Sequence, residues 1–312
     1  MIWNAEQWKT QFERLVAQTE PKQKEEARFL LRSMRVEVFK HTTFLVQQGY
    51  YYNAENQKIS FSDAQDMVLN TKFYHSSYLV NHIPTIHGET IVKVENLDCL
   101  VAAEKLLKEG YHPAVLNMAS RQNPGGGVQT GAGAQEENLF RRTNLFQSLF
   151  QFVPYAEKFG VRKSRFQYPL DRNYGGIYTP DATVFRGTEQ MGYPLLGKPF
   201  QMSFIAVAGI NRPTLASPER IAPELVEPVK NKMRTIFRIG LLHHHDSLVL
   251  GALGCGAFRN PPAHIARLFH EVMEEEEFKN KYKLLVFAIL DDHNARLKHN
   301  PDGNFLPFVR EF

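Results

Sequence analysis

Two adjacent carboxylates, Glu136 and Glu137, close the most glycine-rich stretch of the chain, which reads Asn-Pro-Gly-Gly-Gly-Val-Gln-Thr-Gly-Ala-Gly-Ala-Gln-Glu-Glu from Asn123 onward. Gly125, Gly126, Gly127, Gly131 and Gly133 let backbone pass close to a ligand, adopt positive φ and turn N–H groups towards an anion. A carboxyl beside such a cradle can act as general acid and base. Glycosidases commonly set two carboxylates about 5–10 Å apart across the bond they cut. Neighbours at a helix start point roughly 100° apart around the axis, so these two cannot fill both roles. One glutamate can therefore face a bound ligand and serve as acid and then as base. The other is expected to hold the substrate or the loop.

The elements that must position this pair are legible on either side of it. The apolar run Ala114-Val115-Leu116-Asn117-Met118-Ala119 reads as a buried strand. Leu139, Phe140, Thr143, Phe146, Leu149 and Phe150 recur at helical spacing and predict one helix over 136–152. Its start adds unpaired N–H donors next to the glycines. A second loop of the same kind, Gly251 to Phe258, lies between a predicted strand, 247–252, and a predicted helix, 263–276. Ligands of open α/β sheets bind at such strand ends. Two glycine loops of this kind would line opposite sides of one cleft and suit a diphosphate better than a single phosphate. The common nucleotide motifs fail: Gly254-Cys255-Gly256-Ala257-Phe258-Arg259 lacks the third glycine of GxGxxG, and neither loop leads into the Gly-Lys-Ser/Thr of a P-loop.

Three glycines followed at short spacing by Gln-Glu-Glu, here Gly125-Gly126-Gly127 and Gln135-Glu136-Glu137, resemble the signature of the poly(ADP-ribose) glycohydrolases. The flanking Leu116-Asn117-Met118-Ala119-Ser120 and Asn123-Pro124 look most like the microbial-type branch of that family. The second loop is similar to the diphosphate-binding loop of the macrodomain fold. The resemblance runs from about residue 35 to residue 292. It implies a macrodomain-like three-layer α/β/α sandwich around a mixed sheet, over 49–312, with residues 1–48 as an N-terminal helical extension. It implies hydrolysis of ribose–ribose bonds in poly(ADP-ribose), releasing ADP-ribose. Glu137 would be the acid/base and Glu136 would position the chain's ribose. Asn123, Gly125, Gly126, Gly127 and Gln135 would bind substrate. Gly254, Cys255, Gly256 and Ala257 would wrap the diphosphate, Phe258 would stack on the distal ribose, and Asn123 and Asn117 would sit near that ribose, either one making the contact. Two rivals share the pocket: a hydrolase of single ADP-ribose units on protein, for instance on arginine, and a non-catalytic ADP-ribose reader. The intact Gln135-Glu136-Glu137 triplet argues against the reader.

Elsewhere the periodicity predicts helices over the first 48 residues, with Lys22 to Arg35 as a solvated charged face. Tyr50, Tyr51 and Tyr52 read as packing residues. A short strand is expected over 58–61 and another over 90–95, with a helix over 98–109 ending at Gly110. The Pro-, Gly-, Arg- and Tyr-rich stretch 153–200 reads as long loops with short strands. A buried strand (203–209), a helix (223–242) and a strand (284–290) follow, and the tail after Asp292 is expected along the surface. Strand and helix in alternation argue for α/β layering with parallel pairing.

With 43% hydrophobic and 22% charged residues the chain is ordinary globular protein, and its net charge of +4 suits an anionic ligand without implying nucleic acid. It holds no apolar run long enough to span a membrane and no secretory signal at its start. Its two cysteines, Cys99 and Cys255, form no CxxC pattern and fit a reducing compartment. A cytoplasmic monomer is expected, with export as an effector left open. Neither cofactor nor metal is expected. Consecutive residues of His243-His244-His245-Asp246 alternate sides in extended chain, and Asp291-Asp292-His293 reads as a cap or ligand contact. Activity is accordingly predicted to persist after exhaustive chelation. Its reproducible loss with EDTA and return with one divalent ion would contradict that prediction.

Overall fold

The computed structural model describes residues 3–76, 88–291, 296 and 299–312. Helix α1 (Ala5–Val16) starts where the Asn4 side chain accepts the Gln7 N–H at 3.0 Å. Helix α2 (Pro21–Gln48) opens on a proline at its first turn and stops at Gly49, in the left-handed region. A hairpin of β1 (Tyr50–Tyr52) and β2 (Lys58–Ser60) follows, then α3 (Gln65–Asn70) and β3 (Lys72–Tyr74). Next come β4 (Ile91–Glu95), α4 (Cys99–Lys108), capped by the Asp98 carboxylate, and β5 (Pro113–Met118). Beyond the glycine loop lie α5 (Gln135–Arg142), α6 (Leu145–Leu149), β6 (Gly176–Arg186) and β7 (Leu195–Val207). The chain closes with β8 (Leu215–Ser217), β9 (Arg220–Ile221), α7 (Pro223–Leu242), β10 (Ser247–Leu250), α8 (Pro262–Met273), β11 (Leu284–Ala288) and α9 (Phe305–Glu311).

The chain forms two compact units, one of Met1–Thr71, Gln122–Tyr168 and Thr179–Gln201, the other of Lys72–Arg121, Pro169–Tyr178 and Met202–Phe312. The second is built on a mixed sheet in the order β3-β6-β7-β5-β10-β11-β4. β7, β5, β10, β11 and β4 run parallel, while β3 pairs antiparallel with β6. Ala114, Leu116, Leu248, Leu250, Leu285 and Phe287 share one buried cluster with α7 and α8. Alternation along a strand sends Val115, Val249 and Val286 to the other face, and α4 lies against β5, β10 and β11. Helices on both faces explain why these strands read as continuous apolar runs.

The first unit holds α1, α2, α3, α5 and α6 with the β1–β2 hairpin and parts of β6 and β7, and has an aromatic core in which Phe39 of α2 meets Phe140, Phe146, Phe150 and Phe159. Tyr51 is buried and donates its hydroxyl to Leu196 O, as a packing residue. Below it a buried polar network ties chain segments together. Arg35 grips Glu189 with two hydrogen bonds of 2.7 and 2.9 Å. Burial alone would raise the Glu189 carboxyl, but the Arg35 hydrogen bond and charge outweigh it and hold the group below its ordinary pKa. Removing one partner of such a pair strands a buried charge, at a cost of about 3–5 kcal/mol.

Four expectations are corrected. The helix predicted over 136–152 is broken at Thr143 and Asn144, because Thr143 bridges to Val184 and the Asn144 side chain accepts the Thr183 N–H at 2.7 Å. The stretch 153–200 contains β6 and the start of β7, which are long strands and not short ones. Arg35 leaves the solvated face for the interior. The tail folds into α9, which the Asp291 carboxylate caps through Asn304 N at 2.7 Å, and buries Phe308. That confirms the cap reading for Asp291; Asp292 and His293 lie outside the described residues.

The histidine run 243–245 packs against tyrosines. The His243 ring stacks on Tyr178 at 3.5 Å between centroids and its Nε2 meets the Tyr74 hydroxyl at 2.8 Å. His245 meets the Tyr178 hydroxyl at 3.0 Å and stacks on His112. Burial, then the neighbouring charges of His244 and Lys72, lower His243 to about 4. Burial, then His112, lowers His245 to about 3. Both bind protons more readily unfolded than folded, so stability is full above the ordinary value of 6.5 and falls as pH drops below it. For His245 the slope is at most about 1.4 kcal/mol per pH unit. Thermal unfolding should therefore shift to lower temperature as pH falls from 6.5 to 5, a window in which carboxylates scarcely titrate. His245→Gln should flatten that limb, and a wild-type Tm indifferent to pH there would refute the account.

Candidate active site

In the first unit the glycine loop folds back onto the start of α5. Gly125 N–H donates to Glu136 Oε1 at 2.9 Å, and Gly127 N–H donates to Glu137 Oε1 at 2.8 Å. Both carboxylates thus hold the loop, although the sequence reading gave that task to one. Both are buried, at 3% and 7% exposure. Their partners' types follow from the geometry. Gly126 has φ +53°, and a Cβ there would run into Glu137 Oε1. Only glycine lets the backbone pass this carboxylate at positive φ.

The two oxygens of Glu137 differ. Oε1 is anchored by Gly127, while Oε2 is buried and has no hydrogen-bond partner among the described residues. A buried polar atom without a partner is rare enough to need an explanation. Burial first, then the charge of Glu136, pushes the nearby Tyr168 phenol well above its usual pKa. Gln135 opens α5 half-buried, and Asn123 is exposed, its carbonyl accepting the Gly126 N–H at 3.0 Å.

The later glycines serve a different purpose from the first three. Gly131 lies against the backbone of α2, where an added Cβ would strike Arg32 O. The Arg35 guanidinium lies against Gly133. From the other side Arg141 of α5, fully buried, donates to Ala132 O at 2.8 Å and to the Tyr193 hydroxyl at 2.8 Å. Tyr193 in turn donates to Glu189 at 2.9 Å. This support was missed in the sequence, where its only signal is Arg141 standing one helical turn after Glu137.

In the second unit the loop after β10 packs on itself. The Asn260 side chain donates to Gly254 O at 2.9 Å and to Ile210 O at 2.7 Å, and Arg212 N–H donates to Phe258 O at 2.8 Å. Gly256 is partly exposed, Ala257 exposed and Phe258 half-buried, outside the core cluster. Cys255 is the exception among the expected binding residues. Its side chain is fully buried in the core, and burial pushes its thiol up. Only its backbone can meet a ligand. Asn117, at the end of β5, is fully buried, and neither polar atom of its side chain has a partner among the described residues. No cluster of metal-binding type occurs among the described residues.

The microbial-type PARG (poly(ADP-ribose) glycohydrolase) catalytic domain matches residues 40–187. The poly(ADP-ribose) glycohydrolase of Thermomonospora curvata superposes with a TM-score of 0.70 at 26% identity, over 89% of this chain and 99% of that one. The same enzyme bound to the inhibitor ADP-HPD gives 0.70 at 27%, with the same coverage. The Deinococcus radiodurans enzyme in complex with ADP-ribose gives 0.59 at 26%, over 81% of this chain and 98% of that one. Among curated proteins none matches. The glycine loop and both glutamates fall inside the matched residues, and the mixed sheet with its helices is the fold of these enzymes: over residues 40–187 the chain matches the catalytic domain of the microbial-type poly(ADP-ribose) glycohydrolases.

Proposed function

We propose that this glycohydrolase cuts the ribose–ribose bonds of poly(ADP-ribose) through Glu137, with Glu136 placing the ribose. The observation that carries the reading is the buried, unpartnered Glu137 Oε2 beside an anchored Oε1. With Oε1 accepting a backbone N–H, the working proton belongs on Oε2. It passes to the oxygen joining two riboses as the bond from that oxygen to the anomeric carbon breaks and its electron pair stays on oxygen. The ionised Oε2 then takes a proton from water while the water oxygen bonds the anomeric carbon. One water is consumed, one ADP-ribose leaves, and the glutamate is again protonated.

Asn123, Gln135 and the amides of Gly125, Gly126 and Gly127 are assigned to the sugar and phosphate groups around that bond. The backbone of Gly254, Cys255, Gly256 and Ala257 is assigned to the diphosphate, with Phe258 stacking on the distal ribose. These assignments rest on the family and on the chemistry of each loop taken alone. Among the described residues no helix is long and apolar enough to cross a membrane. The chain is assigned the role of a cytoplasmic monomer acting on polymer-modified proteins, without direct contact with nucleic acid.

Glu137→Gln should lower the hydrolysis rate at least ~100-fold, the usual scale for general acid–base catalysis. ADP-ribose binding, measured by calorimetry, should survive. A variant of near wild-type rate would remove Glu137 from the mechanism. The reading also states where cleavage ends. The last unit on a modified protein is joined to an amino-acid side chain and offers no ribose on the leaving side. Mass spectrometry after exhaustive digestion should find one residual ADP-ribose per site. Its clean removal at the rate of chain cleavage would favour a mono-ADP-ribosyl hydrolase.

A further inference from the structure

Lys24, Arg28 and Arg32 recur every fourth residue of α2 and so share one side of the helix. Continued along the axis, that side carries Arg35, Phe39, Thr42 and Val46, all buried. The three basic residues are exposed instead. One side of one helix therefore changes from packed to cationic, and the change falls at the glycine loop. The Arg32 carbonyl lies against Gly131 and the Arg35 guanidinium against Gly133, while Gly127 of the same loop holds Glu137. The basic stretch thus runs outward from the loop that carries the proposed acid.

A run of charge on a helix is usually a solvated face, and two observations set this one apart. Among the described residues no carboxylate pairs with Lys24, Arg28 or Arg32, whereas Lys230, Arg234 and Arg238 of α7 all have glutamate partners. Glu25 and Glu26 lie on the same helix, but at 100° per residue Glu26 falls on another side, and Glu25 pairs with none of the three. Phe29, 70% exposed, stands one residue past Arg28, and an exposed aromatic ring can stack on a base.

We propose that Lys24, Arg28 and Arg32 bind the diphosphates of polymer units adjoining the one at Glu137, making α2 an accessory subsite for long chains. This rests on the poly(ADP-ribose) hydrolysis described above. Each further unit of that substrate brings another diphosphate, and a guanidinium fork matches phosphate oxygens. A row of exposed cations also binds a polyanion with strong salt dependence, because counterions are released.

The test is the full-length chain carrying Lys24→Gln, Arg28→Gln and Arg32→Gln together. Its Tm should match wild type, since all three side chains are exposed. At low salt KM for long polymer should rise about ten-fold with kcat unchanged, and the log–log salt slope should flatten by about 2. Hydrolysis of a two-unit oligomer should be unaltered. An equal loss on both substrates, or an unchanged KM for long polymer, would overturn the subsite. Wild-type failure on the two-unit oligomer and the polymer alike would instead reject the glycohydrolase reading. Binding of long polymer to Glu137→Gln, with and without the three substitutions, tests the subsite independently: affinity should fall about ten-fold, and equal affinities would overturn it.

Discussion

Two backbone amides held by two neighbouring carboxylates are the constraint on which the rest depends. Gly125 and Gly127 give their N–H groups to Glu136 and Glu137, and the loop closes over the first turn of α5. This ties the position of the proposed acid, Glu137, to the path of the loop, so neither can shift without the other. An acid that must deliver a proton to one oxygen of a sugar benefits directly, because small misplacement costs rate heavily. The arrangement also explains why two adjacent glutamates are useful despite pointing in different directions: each pins a different amide.

Backbone alone would not keep such a loop in place. Arg35, Glu189, Tyr193 and Arg141 form a buried chain of charges and hydroxyls linking α2, the end of the loop and α5. Buried ion pairs are a poor source of net stability but strongly penalise arrangements that separate them. Here the penalty falls on movement of α2 or α5 away from residues 132 and 133. The order of the site is thus supported by buried groups that bond to one another beneath the loop.

How much of this was legible depended on how local the cause was. β5, β10, β11 and α7 follow from runs and periods of apolar residues, and the glycine–glutamate motif announced the chemistry and the poly(ADP-ribose) glycohydrolase family. The break between α5 and α6 was hidden, because Thr143 and Asn144 leave the helix only for partners on β6, some 40 residues later. β6 was hidden by Pro180 and Asp181, the latter at φ +46° inside the strand. The burial of Arg35 required knowledge of Glu189, and nothing in the local sequence of α2 distinguishes it from Arg28 or Arg32. The motif likewise could not reveal that Cys255 turns inward, since its neighbours Gly254 and Gly256 carry no side chains to show which way the loop faces.

The seat of Gly131 on the Arg32 carbonyl has an evolutionary consequence. The contact uses main chain on both partners, so it is blind to which side chain residue 32 carries. The outward side chains of α2 can be exchanged freely while the loop, the anchored amides and the proposed acid keep their geometry. At the proposed subsite, selection for polymers of different length can then act on the helix surface without disturbing the loop that holds Glu137. Residue 131 has no such freedom, and a lineage that lost its glycine would have to rebuild the docking of the whole helix.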